Sequence, residues 1–221
     1  MKNIIMAATA LLMSQFSFAQ TKEVSAFTQL KVFDKIPVQL VPSDSYKAVV
    51  SGKMADDVEF VSTENELKVR MKPSKLLQGD AVKILLYYKD ISDIQASQGS
   101  KIWSSDVVKA SKLDLTSNEG SEINLNVNAA VIDGKINTGG IMKLAGNADS
   151  QTIVVNTGGK YQGKNLVTKI TTITTNAGGE ASVNATDSVN ATTRAGGVID
   201  IYGKPKSKND QKIAGGNINY H

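Results

Sequence analysis

Three aspartates recur at one position of an internal repeat, and this row is the chain's best candidate for chemistry. Asp93, Asp114 and Asp133 each stand six residues before a glycine-led pair. If successive repeats stack as β-strands, these carboxylates lie about 5 Å apart along one outer line. At that distance they disfavour joint ionisation, or they hold a hard cation such as Ca²⁺ through oxygen ligands. The alternative is an exposed row whose repulsion is relaxed by solvent and by Lys112 or Lys135.

Other kinds of catalysis have little support in the composition. His221 is the one histidine and cysteine is absent, so a triad built on histidine and a thiolate metal site are both excluded. None of the motifs of α/β-hydrolases, zinc proteases or phosphate-binding loops occurs. A two-carboxylate glycosidase stays open, since Asp and Glu together number 21. The net charge of +4 is spread along the chain, which predicts no nucleic-acid partner. We also expect no cofactor.

The aspartates are positioned by a repeat of glycine-led pairs in the second half of the chain. The pairs begin 18 to 21 residues apart. They are Gly99-Ser100, Gly120-Ser121, Gly139-Gly140, Gly158-Gly159, Gly178-Gly179, Gly196-Gly197 and Gly215-Gly216. A fixed period near twenty is typical of a coiled stack of similar units, each of which buries its apolar face against its neighbours.

Within each repeat the hydrophobicity alternates with period two, which indicates strands and not helices. The residue three positions after the start of each pair is apolar in every repeat. These residues are Ile102, Ile123, Met142, Tyr161, Ala181, Ile199 and Ile218. Because glycine tolerates a positive φ, each pair is expected to form the corner between two strands. The sequence therefore predicts an all-β fold, a single-stranded, parallel, right-handed β-helix of about seven turns.

Asparagine provides a second mark of the register. Asn118, Asn137, Asn156 and Asn176 all stand two residues before a glycine-led pair. Stacked amides can hydrogen-bond along the axis from turn to turn. The pattern favours an internal ladder or corner caps, with a polar binding groove as the alternative.

The chain divides into three predicted segments. Residues 1–19 carry Lys2, an apolar stretch and small residues at Ser17 and Ala19, which is typical of a secretory signal cleaved after Ala19. Residues 20–96 lack the period, and their short apolar runs predict a small β-module that caps one end of the coil. Residues 97–221 form the repeat region. We therefore expect export to the periplasm, the outer-membrane surface or the extracellular space, with no transmembrane segment in the mature chain.

Several segments together resemble a known family. They are Phe27–Val32, Val38–Leu40 and turns such as Glu119–Asn124 and Gly215–Asn219. The chain resembles, over roughly residues 27–218, a bacterial exported family of unknown function described as "putative auto-transporter adhesin, head GIN domain". The resemblance implies a fold similar to pectin-lyase-like β-helices, no accepted catalytic set and a role in adhesion or surface interaction.

Three functions fit these observations. The first is an exported, non-enzymatic binding or adhesion module of the cell envelope. It would recognise an envelope or extracellular glycan, or a surface protein, across a flat and repetitive face of Thr, Asn and Lys. The alternative is a carbohydrate-active enzyme, a polysaccharide lyase or hydrolase, that uses carboxylates on the side of the coil. The third is a purely structural envelope protein.

Overall fold

The computed structural model describes residues 19–221, and its regular elements are strands and single turns of 3₁₀ helix. The predicted signal segment lies outside the described residues except for Ala19. The strands are β1 Gln20–Glu23, β2 Gln29–Val32, β3 Pro37–Pro42, β4 Lys47–Gly52, β5 Val58–Thr63, β6 Glu66–Met71, β7 Val82–Tyr88, β8 Asp93–Ala96, β9 Lys101–Ser117, β10 Glu122–Ile136, β11 Ile141–Val155, β12 Lys160–Asn176, β13 Glu180–Arg194, β14 Val198–Tyr202, β15 Ser207–Ile213 and β16 Asn217–Tyr220. The 3₁₀ turns are Ala55–Asp57, Pro73–Lys75 and Gly79–Ala81. Within residues 19–221 there is no helix with the length and apolar character needed to cross a bilayer.

Strands β9 to β13 form the body of a coil, in which we call one turn a rung. Each of these strands has 15 or 17 residues and runs from one corner to the next. The two halves of such a strand lie on different sides of the coil: β3 pairs with the first half of β9 and β8 with its second half. Each long strand therefore bends in its middle. Strand β10 pairs in parallel with β9 below and β11 above. The predicted all-β, parallel β-helix of about seven turns is confirmed.

Each glycine-led pair forms a tight corner between the two sides. In Asn137–Gly140, the Gly140 N–H donates to the Asn137 carbonyl at 3.0 Å. Thr138 (φ 50°) and Gly139 (φ 72°) both lie in the left-handed region, which is the geometry of a type I′ turn. The Gly139 N–H then donates to the Thr157 carbonyl of the next corner at 3.1 Å. We call this stack of corners, from residues 33–36 to residues 213–216, the corner ridge.

The hydrophobic core fills the inside of the coil. The apolar positions predicted from the repeat are buried in every rung except the last, where Ile218 is half-buried. Gly163 breaks the apolar pattern for a steric reason, since a Cβ there would lie 2.5 Å from Cε1 of the Tyr161 ring. The buried Tyr161 hydroxyl donates to Gln151 Oε1 at 2.6 Å, so the large ring occupies the space of two core positions without leaving a polar atom unpaired.

The N-terminal residues build two further rungs, which are stacked out of chain order. Strands β2 and β3, joined by the corner Phe33–Ile36, pair in parallel with β8 and β9. Strands β6 and β7 pair with the other edges of β2 and β3, so a later segment lies beneath an earlier one. Strands β1, β4 and β5 complete this end in antiparallel pairs. Strands from before and after residue 96 belong to one continuous sheet, since β3 and β8 pair with β9. A domain boundary at residue 96 stays a prediction from the sequence period.

The last rung carries charges where other rungs carry core residues. The register places Lys208 and Asp210 of β15 beside the buried Val189 and Ala191 of β13. The Tyr220 hydroxyl donates to Asp210 Oδ1 at 2.7 Å, and Lys208 Nζ lies 4.0 Å from the Tyr220 ring centre. Charges at inward positions of an end strand oppose pairing with another chain.

Candidate functional site

The predicted aspartate row exists as a row. The register places Asp93 beside Asp114, and Asp114 beside Asp133, on one outer flat side. Lys112 Nζ lies 3.0 Å from Asp114 Oδ1 and 3.1 Å from Asp133 Oδ2. The two carboxylates raise the pKa of the Lys112 ammonium above its ordinary value. These two ion pairs are the Lys112 contacts that the relaxed row would require.

Asp93 is the member of the row without a close ammonium partner in the described chain. Burial raises the pKa of the Asp93 carboxyl, and the neighbouring Asp114 carboxylate raises it further. Residues 19–221 contain no cluster of three or more His, Cys, Asp or Glu side chains placed to hold a metal ion. A cation at the row stays a prediction that calorimetric calcium titration of the wild type and Asp114→Asn tests. Heat with the wild type alone would support it, and no heat with either protein would end it.

The column that contains the aspartates loses its charge further along the coil. Beyond Asp133 the same outer position is occupied by Thr152, Thr172, Asn190 and Asn209. This second half of the flat side is the regular Thr and Asn face that the sequence predicted as a binding surface. A ligand on such a flat strand face would keep most of its hydration.

A deeper feature lies at the bends, on the edge of the coil opposite the corner ridge. An open groove of about 880 Å³ runs along the coil axis there. We call it the bend groove; it is lined by residues 109–111, 128–130, 147–149 and 167–169, with Asp90 and Thr186 at its ends. Six rungs contribute to it, from Asp90 to Thr186, which gives a length of about 24 Å at about 4.8 Å per rung.

The floor and one wall of the bend groove repeat in register. Ala110, Ala129 and Ala148 are paired rung to rung and form a floor of small side chains. Beside them, Lys109, Asn128 and Asn147 are paired in the same way and are exposed. Small floor residues let a ligand approach the backbone, and the wall offers one polar group per rung.

The groove asparagines differ from those of the corner ridge. At the corners, Asn137 Nδ2 donates to Asn118 Oδ1 at 2.8 Å and Asn156 Nδ2 donates to Asn137 Oδ1 at 2.8 Å. These bonds confirm the predicted ladder, in which the amides are already hydrogen-bonded to one another. Asn128 and Asn147 make no side-chain hydrogen bond within residues 19–221. Their amides remain available to donate to and accept from a ligand.

Charges of both signs flank the groove. Asp90 lies at its N-terminal end near Lys109. On the opposite wall, Lys169 Nζ is 2.7 Å from Asp149 Oδ1, and this pairing raises the pKa of the Lys169 ammonium. The hydroxyls in the lining belong to Ser111, Thr168 and Thr186. His221 is not in the lining; it stacks on Tyr202 in the last rungs. The lining can therefore bind a polar ligand, but it offers no nucleophile with a histidine base.

The profile of the family described as "putative auto-transporter adhesin, head GIN domain" matches residues 26–205. The chain belongs to this family. The resemblance predicted from the repeated turns is thus confirmed.

Solved structures share the fold at low sequence identity. A putative adhesin from Bacteroides fragilis has a TM-score of 0.85 at 18% identity and covers 94% of this chain and 98% of its own. A putative adhesin from Parabacteroides distasonis has a TM-score of 0.74 at 18% identity, with coverages of 92% and 96%. A putative lipid binding protein from the same organism has a TM-score of 0.68 at 14% identity, with coverages of 93% and 97%. No curated protein matches the chain.

Sequence reasoning did not find the bend groove, although a signal for it exists. The dipeptides Lys109-Ala110, Asn128-Ala129 and Asn147-Ala148 recur 19 residues apart. A polar residue followed by alanine is too common to stand out when the repeat is aligned only near its glycines. Its meaning depends on the bend, which brings these positions to a concave edge.

Proposed function

We propose that this head GIN domain protein is an adhesion-type binding module of the cell envelope that holds an extended glycan along the bend groove. The single observation that carries the proposal is the in-register row of unbonded asparagine amides above an alanine floor. Membership of an adhesin-like family and similarity to adhesin-like structures support a binding role and a surface or exported location.

A linear polymer suits this geometry better than a compact ligand. The groove presents equivalent polar groups at a repeat of about 4.8 Å, so one chain can make the same contact on successive rungs. Each exposed amide contact is weak, but contacts along one chain act together and raise the overall affinity. Glycan hydroxyls both donate and accept, which matches the amides of Asn128 and Asn147 and the mixed charges of Asp149 and Lys169.

The lining also argues against an acyl chain in this groove. One similar structure is described as a lipid binding protein. Here the walls carry amides, carboxylates and ammonium groups, and an acyl chain would leave those groups without partners. The groove is open along its length, whereas sites for apolar ligands bury most of the ligand surface.

A glycan array followed by calorimetry on the best ligand tests the proposal. The double variant Asn128→Ala/Asn147→Ala should bind about tenfold more weakly or worse, because each lost hydrogen bond is worth about 1 kcal/mol. The matched control Thr172→Ala/Thr174→Ala alters the flat side and should bind like the wild type. The absence of glycan binding would overturn the proposal.

Two other results would change the proposed binding surface or the proposed activity. If only the threonine variant loses affinity, the flat side predicted from the sequence is the binding surface and the groove assignment is wrong. Release of reducing ends from a bound polysaccharide would instead establish the carbohydrate-active enzyme alternative, with Asp90 and Asp149 as the first carboxylates to replace.

A further inference from the structure

One corner of the coil differs from all the others. Between β6 and β7, where the rungs above have a four-residue turn, the chain inserts residues 72–81. We call this segment the leucine loop. Leu76 and Leu77 at its tip are 56% and 48% exposed. Leu76 is the most exposed of the large apolar side chains in residues 19–221.

The leucine loop is held firmly in place by a buried carboxylate. Asp34 is 2% exposed and lies in the first corner of the corner ridge. Its Oδ2 accepts the Met71 N–H at 3.0 Å and its Oδ1 accepts the Leu77 N–H at 3.1 Å. The Gly79 N–H donates to the Asp34 carbonyl at 2.9 Å. Both ends and the tip of the loop are therefore bonded to the coil.

This rigid arrangement exposes the leucines at a double energetic cost. Leu77 has φ 60°, a left-handed conformation that is unfavourable for a bulky residue. Two leucine side chains in water are also unfavourable, and a polar tip would avoid that cost. A strained backbone that holds apolar side chains outward points to a contact surface.

The charges around the tip indicate the kind of surface. Lys72 and Lys75 lie in the loop, and Lys35 follows Asp34 in the corner that anchors it. Two carboxylates also lie in this region. Lys72 Nζ is 3.5 Å from Asp57 Oδ1, and Asp80 lies within the loop, directly after Gly79. Basic side chains beside exposed leucines complement a surface that is apolar beneath an anionic layer.

The small apolar area of the patch favours a membrane over a protein as the binding partner. A stable protein interface buries about 800 Å² on each partner, far more than two leucine side chains offer. A bilayer needs only a few apolar side chains inserted at the headgroup boundary, supported by nearby lysines. The patch is therefore too small for a stable protein interface and large enough for contact with a bilayer.

We propose that the leucine loop docks the protein onto anionic lipid surfaces. Leu76 and Leu77 enter the boundary between headgroups and acyl chains, and Lys72 and Lys75 contact lipid phosphates. Because the loop continues the corner ridge and the bend groove lies on the opposite edge of the coil, docking leaves the groove facing away from the bilayer. The inference does not depend on the groove's ligand.

Vesicle co-sedimentation tests the docking directly. The wild-type protein should bind vesicles of phosphatidylcholine mixed with phosphatidylglycerol more tightly than vesicles of phosphatidylcholine alone. Leu76→Ser/Leu77→Ser should bind the mixed vesicles roughly tenfold more weakly or worse. Lys72→Gln/Lys75→Gln should weaken binding to mixed vesicles and reduce its sensitivity to salt.

A matched control separates this loop from general stickiness. Ile170 and Ile213 are 50% and 41% exposed elsewhere on the coil, in β12 and β15, so Ile170→Ser/Ile213→Ser removes a similar apolar area and should bind like the wild type. Unchanged thermal unfolding of each variant would show that the coil is intact. Wild-type affinity in the leucine variant, or equal losses in both serine variants, would overturn the proposal. The absence of vesicle binding by the wild-type protein would also overturn the proposal. A result in which the leucine substitutions abolish binding to a protein but not to vesicles would do the same.

Discussion

The N-terminal rungs and the repeat rungs reach the same corner geometry by different means. In the first corner, Asp34 and Lys35 have φ of 59° and 61°, although neither is glycine. In a repeat corner, Thr138 and Gly139 have φ of 50° and 72°. Both corners close with a hydrogen bond from the fourth residue to the first. The repeat corner is favoured by local sequence, whereas the first corner depends on the tertiary contacts of Asp34.

This difference shows what a sequence period records. Repeat rungs follow one another along the chain, so each supplies its own corner glycine, and four of the seven also supply an asparagine. The N-terminal rungs are stacked out of chain order, and their stability comes from contacts between segments far apart in sequence. The same rung shape can therefore exist with or without the repeat that usually predicts it.

The largest expected effect comes from removing the tertiary anchor of the N-terminal corner. Asp34→Ala should lower the free energy of unfolding by about 2 to 3 kcal/mol, because the buried Met71 N–H and the partly buried Leu77 N–H lose their acceptor. Urea denaturation measures the change. Asp44→Ala is the matched control, since Asp44 is exposed, and should stay within about 0.5 kcal/mol of the wild type. A loss below 1 kcal/mol for Asp34→Ala would show that the loop does not depend on this carboxylate.

Much of the fold could be predicted from the sequence because the repeat is local. The glycine-led pairs fixed the corners, and alternation around Ile123 and Met142 fixed which side chains face inward. The stacking of β6 and β7 beneath β2 and β3 could not be predicted in this way. Those rungs share no corner glycine, and the Asp34 contacts that replace it join residues 37 and 43 positions apart.

Exchanging the corner residues tests the comparison in both directions. Gly139→Lys should lower the free energy of unfolding by about 1 kcal/mol, from left-handed strain. No atom lies within 4 Å of the Cβ position at Gly139, so a steric clash does not add to that strain. Lys35→Gly should raise the same free energy by about 0.5 kcal/mol, because relief of strain exceeds the entropic cost of glycine. Thermal and urea unfolding give both values, and shifts of the same sign would contradict the shared geometry.

A smaller change is expected in the asparagine ladder. Asn137→Ala removes one donor and one acceptor from a continuous row, and should cost about 1 kcal/mol. Asn128→Ala is the control, because that exposed amide has no partner within residues 19–221 and its loss should cost less than about 0.5 kcal/mol. Equal losses would mean that the groove amides also serve stability, which would weaken the case for a free binding surface.

The site was less predictable than the fold for the same physical reason. Asn128 and Asn137 are identical residues in the same repeat, and sequence alone cannot show which amide is consumed by a neighbour. The ladder followed from its constant distance to the glycines. The groove required knowledge of where the strands bend, and nothing near residues 128–130 marks a bend in the way that glycine marks a corner.

The smallest expected effect compares two carboxyls on either side of β2, two rungs apart, whose pKa values move in opposite directions. In an N-terminal rung, a hydrogen bond from Lys31 and a second from Lys68 hold the pKa of Glu66 below its ordinary 4.5. Its stabilising contribution is therefore present above pH 4.5 and is lost as the pH falls through the lowered value.

In the first repeat rung, burial and Asp114 raise the pKa of Asp93 above its ordinary 3.8. Its ionised form costs stability at neutral pH, and that cost disappears as the pH falls toward 3.8. Urea denaturation at pH 7 should show Glu66→Gln destabilised and Asp93→Asn stabilised, each by about 0.5 kcal/mol. Both differences should shrink below pH 3.8, and a stabilising Asp93 carboxylate at pH 7 without added cation would contradict the assigned sign.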